Sequence, residues 1–160
     1  MNKRRLLAIV VAAAALAVHA QSAQKISQII ESQELTYKQA AYIALSFAQQ
    51  AEQSEQDDEQ EEQAPERDAL SAAVRLNWIQ SGAVAQAPIP LGEYCALCVN
   101  ATGIKGGIMC GLTNNSPRYC FRELKALGLL DNNADPSMKI DGQNALNLFN
   151  ACVQAAEASK

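Results

Sequence analysis

Five cysteines supply the most reactive side chains of this chain: Cys95, Cys98, Cys110, Cys120 and Cys152. Cys95 and Cys98 form a C-x-x-C pair in the run GEYCALCVNATG, residues 92–103. That spacing suits three chemistries. Thiol–disulfide exchange needs an exposed, low-pKa thiolate at a helix start beside positive charge. A zinc knuckle needs four thiolates, here Cys95, Cys98, Cys110 and Cys120. A stapled fold needs only pairs within reach. Five thiols allow two bridges and one leftover in about fifteen ways. Cys95 and Cys98 lie one helical turn apart, and bridging such neighbours strains the geometry. Pairing then points elsewhere: Cys110 and Cys120 with Cys95 or Cys98, or Cys152 with Cys120.

The compartment bears on that choice. Lys3, Arg4 and Arg5 precede an apolar run from Leu6 to Val18, and Val18-His19-Ala20 offers small or branched residues at a cleavage point. This pattern reads as a secretory signal over residues 1–20, cut after Ala20. The run is shorter than the roughly 18 to 20 residues that span a bilayer. An exported chain meets oxidising conditions, where disulfides persist and a zinc thiolate set is disfavoured. The only histidine, His19, leaves with the signal. Without histidine the mature chain builds no Ser-His-Asp or Cys-His system. Ten Lys and Arg then face seventeen Asp and Glu, a formal charge of minus seven. Such an acidic chain is a poor nucleic-acid binder, because phosphate affinity rests on Lys and Arg. No later stretch is apolar and long enough to cross a membrane.

The elements that hold the cysteines read as helices. Asp68–Ile79, Tyr94–Thr102, Arg118–Leu127 and Gln143–Ala158 repeat apolar residues at helical spacing. Leu35-Thr36 followed by YKQAAYIALSFAQQ adds another, with Thr36 and Gln39 as a capping box. Gly128 is placed to terminate the Arg118 helix. No segment alternates as a strand does, so the class is all-α. Glu52–Gln63, EQSEQDDEQEEQ, holds seven carboxylates and no hydrophobic residue. It reads as a solvated linker over residues 52–66, dividing a block at 21–51 from one at 67–160.

Three segments align across the chain: LTYKQAAYIALSFA from Leu35, IPLGEYCALCVNAT from Ile89 and IDGQNALNLFNACV from Ile140, offset by 54 and 51 residues. Each opens on a branched apolar residue and continues through Thr36, Pro90 or Asp141 into a helix. Ile43, Leu97 and Leu148 coincide. In this register Cys95, Cys98 and Cys152 fall where the other copies carry apolar residues. They are expected in the core, as inert small hydrophobes.

The pattern resembles the S-layer homology family, whose repeats are each a helix, a loop and a capped second helix, often three in number. PRYCFRELKALGLL, the loop DNNADPSMK and IDGQNALNLFNACV carry the likeness best. The copy from Asp68 to Gly103 comes next, and the first copy has only ISQIIES, Ile26 to Ser32, for its first helix. The family's Thr-Arg-Ala-Glu motif is replaced by Thr36-Tyr37-Lys38-Gln39, Pro90-Leu91-Gly92-Glu93 and Asp141-Gly142-Gln143-Asn144, so its arginine is missing three times. The resemblance implies three degenerate repeats in one small domain. It also implies grooves between repeats, with Trp78, Arg118 and Tyr119 near them to stack on or hydrogen-bond a glycan. Taken alone, Trp78 at helical spacing reads as core packing.

Two loops carry weaker signals. Gly103 to Gly107 with Lys105 offers amides and a cation to an anion, but lacks the Gly-Lys-Ser/Thr ending of a phosphate loop. Asp131, Asn133 and Asp135 begin like a calcium loop, yet Pro136 and Gly142 stand where glycine and glutamate are required. A turn and helix cap explains the second loop. The resulting expectation is an exported, non-enzymatic helical module of the cell envelope, with no cofactor or metal. Its partner is a wall polymer or an envelope protein. The alternatives are a thiol–disulfide protein acting through Cys95 and Cys98, and a calcium or small-ligand carrier using the Asp131 loop.

Overall fold

The computed structural model describes residues 23–53, 66–104 and 112–158. The signal segment, most of the acidic run, Lys105 and Cys110 lie outside the described residues. Six helices make up the described fold. They are α1 (23–30), α2 (Tyr37–Gln53), α3 (Glu66–Arg75), α4 (Leu91–Thr102), α5 (Pro117–Ala126) and α6 (Gly142–Ala158). Among the described residues there is no strand, only two isolated bridges, Thr36 with Pro88 and Pro90 with Lys139. None of the described helices is long and apolar enough to cross a membrane.

Helix ends follow local chemistry. At the start of α2 the Thr36 N–H donates to Gln39 Oε1 at 2.9 Å and the Gln39 N–H returns to Thr36 Oγ1 at 3.3 Å. This is the expected capping box. The spacing predicted a third helix reaching Ile79, but α3 stops at Arg75. Asn77 takes a left-handed φ of 57°. Its N–H donates to the Val74 carbonyl at 3.0 Å and the Trp78 N–H to Ala73 at 2.9 Å, closing a Schellman turn. Gly128, φ 73°, ends α5 in the same way, with Leu129 bonded back to Leu124 at 3.0 Å. Asparagine does at Asn77 what glycine does at Gly128, and periodicity does not register it.

Asp141 caps α6: the Asn144 N–H donates to Asp141 Oδ1 at 2.8 Å. That bond holds the Asp141 carboxyl below its usual range. The stabilisation is therefore complete above the ordinary carboxyl pKa and is lost as pH falls through the lowered folded value. Asp141→Ala is expected to cost about 1 kcal/mol in urea denaturation at neutral pH. A difference below a few tenths would mean that the cap carries no stability.

The opening N–H groups of the second helices bond to loop carbonyls of other segments. Tyr37 and Lys38 donate to Ala87 and Ala85, both at 3.1 Å. Leu91 and Gly92 donate to Met138 and Pro136 at 2.8 and 2.9 Å, and Gly142 donates to Ser32 at 2.9 Å. These contacts start α4 at Leu91, three residues before the expected Tyr94. Inside them Leu35 donates to Ile140 at 2.7 Å and accepts from Ile89 at 2.9 Å. Leu35 and Ile89 are fully buried and Ile140 nearly so. Helix α4 is the core element. It packs on α2, α5 and α6, and is buried on most of its circumference.

Candidate functional site

A cavity of about 480 Å³ opens where the α3–α4 loop, the start of α2, one side of α4 and the loop before α5 meet. Tyr37, the first residue of α2, donates its hydroxyl to Glu93 Oε2 in the first turn of α4 at 2.6 Å. Two turns along, Asn100 Oδ1 accepts from Asn115 Nδ2 at 2.7 Å. Trp78, half-buried and packed against the core, completes the wall. Asn77, Asn114 and Asn115 line the same cavity with left-handed φ values of 57°, 51° and 55°. Asparagine tolerates that region better than most side-chain-bearing residues, and the three residues form the turns that shape this rim.

Burial, then the hydrogen bond and the charge of Glu93, raise the Tyr37 phenol well above its usual pKa. Tyr37 therefore stays neutral, and the pair presents one carboxylate rather than two anions. A neutral phenol, an indole, side-chain amides and a single carboxylate suit a hydroxyl-rich ligand with apolar ring faces.

A second cavity, about 660 Å³, lies beside α6 and the α5–α6 loop. Its lining matches the first at the offsets of 54 and 51 residues found in the sequence. Leu91 replaces Tyr37, Leu129 replaces Trp78, Asn144 replaces Glu93 and Ala151 replaces Asn100. Two pairs run the other way: Ala96 is matched by Asn147 and Gln80 by Asp131. The two aromatic residues are confined to the first cavity, and the second carries its charges elsewhere, on Asp131, Lys139 and Asp141.

Of the groove residues expected from sequence, Trp78 lines the cavity, Arg118 is exposed next to it in the chain, and Tyr119 is half-buried against the core. Lys105 lies outside the described residues. Tyr37 and Glu93 were legible only in part. Both fall in the tetrads that open the second helices, but nothing in one chain says that these two positions face each other across segments. The Asn100–Asn115 bond has no sequence signal, because it depends on the path of the intervening loop.

The described cysteines gather in the core. Cys95 and Cys98 on α4, Cys120 on α5 and Cys152 on α6 are all fully buried. The thiols of Cys95, Cys98 and Cys152 are free. Burial, then the neighbouring Cys152 and Cys120, push the Cys95 thiol far up, and burial does the same to Cys98. Neither has the exposed, low-pKa setting of a redox C-x-x-C. In the Asp131 loop, Asp135 Oδ1 accepts from the Ser137 N–H at 2.8 Å and from the Ser137 hydroxyl, a local turn. Among the described residues no group of three or more His, Cys, Asp or Glu is arranged to hold a metal ion. No family model, curated protein or solved structure matches the chain.

Proposed function

We propose that this chain is an exported helical module of the cell envelope, non-enzymatic, that holds a wall polysaccharide in the cavity walled by Tyr37, Trp78, Glu93 and Asn100. The supporting observation is the unequal chemistry of two matching cavities. One keeps an indole, a phenol and a carboxylate where the other has two leucines and an amide. Packing alone gives no reason for that difference. Sugars present apolar ring faces to aromatic side chains and hydroxyls to amides and carboxylates, so this set fits a glycan. Export is supported by the signal-like residues 1–20.

The hydrogen bonds from Tyr37 and Lys38, from Leu91 and Gly92, and from Gly142 support a finer reading. In it three S-layer-homology-like repeats close on one another, each second helix capped by the loop of the next copy. The cavities then lie at repeat boundaries, as the resemblance implies.

The test is co-sedimentation with purified cell-wall sacculi and with their extracted polysaccharides. Wild type is expected in the pellet. Trp78→Ala and Glu93→Gln should each lower retention about tenfold, as for central binding residues. Leu129→Ala in the second cavity should leave retention unchanged. Wild type remaining in the supernatant, or binding only through envelope proteins left on untreated walls, would sink the glycan reading.

A further inference from the structure

We propose that Cys98 and Cys152 form a disulfide joining α4 to the C-terminal helix α6 when the chain meets a disulfide oxidant. The two residues come from different helices, 54 positions apart in sequence, and both are fully buried. Their thiols are free and lie within hydrogen-bonding contact of each other. Sulfurs in that contact are a small side-chain movement from the bonding distance of about 2.0 Å.

The helices are held in place for it. α4 packs on α6, and Tyr94, one turn before Cys98, donates its hydroxyl to the Ala145 carbonyl of α6 at 2.8 Å. The Tyr94 oxygen also lies in hydrogen-bond contact with the Cys98 thiol. Cys95 stands close enough to Cys152 for their charges to interact, but has no hydrogen bond to it. A Cys95–Cys98 bridge would need two residues of one helical turn to close on each other, with strain. The Cys98–Cys152 pair avoids that strain, and it is a pairing that spacing alone did not suggest.

The chemistry is a two-step exchange with a protein or small-molecule disulfide. The finished fold buries both thiols completely, so the exchange takes place on the folding chain, where either thiol can begin it; Cys152 is taken first. Its thiolate attacks one sulfur of the oxidant, forming a mixed disulfide and expelling the other as a thiol. Cys98, deprotonated in turn, attacks the Cys152 sulfur and expels the second. Two electrons pass to the oxidant, whose two thiols carry away the two protons. The bridge closes a loop that contains α5 and the α5–α6 turn. It would stabilise that part of the fold by restricting the unfolded chain.

This inference is independent of the cavity's ligand. It is tested by refolding the full chain in a mixture of oxidised and reduced glutathione, alkylating without reduction, and sequencing the digest by mass spectrometry. The expected result is a Cys98–Cys152 linked peptide as the main form of both residues. Reductant should then lower the thermal midpoint by about 10 °C. Cys152 recovered as an alkylated thiol, or linked to any other cysteine, overturns the proposal. So does a linked peptide in a chain whose midpoint is unmoved by reductant.

Discussion

Tyr94→Ala is expected to remove about 4 kcal/mol of stability under reducing conditions, enough to unfold a marginal domain. Tyr94 is fully buried in the middle of the core, and its hydroxyl ties α4 to α6 at 2.8 Å. Truncation leaves a cavity among close-packed helices and removes the phenol's hydrogen bond. Tyr94→Phe separates the two contributions. It keeps the ring and loses only the hydroxyl, for about 1 kcal/mol. Urea denaturation of the three proteins, followed by circular dichroism, measures both. A Tyr94→Ala cost below about 1 kcal/mol would mean that α4 and α6 are not packed through this residue.

Gly142→Ala has the second large effect, for a different reason. Gly142 is the first residue of α6, and its N–H donates to the Ser32 carbonyl at 2.9 Å. A Cβ there would overlap the backbone carbonyl of Ile29, which no rotamer change can move aside. The end of α1 must shift, and the Gly142–Ser32 bond goes with it. The expected cost is about 3 kcal/mol. Gly128→Ala is the control. Its left-handed φ of 73° strains alanine, but no atom lies within 4 Å of the added Cβ. It should cost about 1–2 kcal/mol. Hydrogen exchange should show faster opening at residues 29–35 in the Gly142 variant only. Equal costs for the two variants, or protection at residues 29–35 unchanged, would place α1 away from the start of α6.

The wall of the candidate cavity shows how far one chain can be read. Trp78 is visible as an aromatic residue near a helix end, but its spacing favoured core packing. In the fold it is both packed and exposed to the cavity, because Asn77 turns the chain out of α3 just before it. Glu93 stands in the C-x-x-C run itself and reads there only as a charge beside two thiols. Its partner Tyr37 is 56 residues away. The thiols behaved differently. Register alone assigned Cys95, Cys98 and Cys152 to the core, because a repeat turns sequence position into a face of a helix.

Local physics, written in the sequence, determined the helical class, the Thr36–Gln39 and Asp141 caps, the Gly128 stop and the apolar setting of three cysteines. Each depends on residues within a few positions of one another, or on a periodicity that survives in the repeat. The tertiary structure alone decided which helix ends meet which loop carbonyls. It also decided that one of two matching cavities holds an indole, a phenol and a carboxylate, and that Cys152 lies against Cys98. Those outcomes join residues about 50 positions apart, where many pairings satisfy the same pattern. Close packing around Leu35, Ile89 and Tyr94 bears on that choice, because the arrangement adopted fills the core and pairs the backbone groups of Leu35 and Ile89 at once.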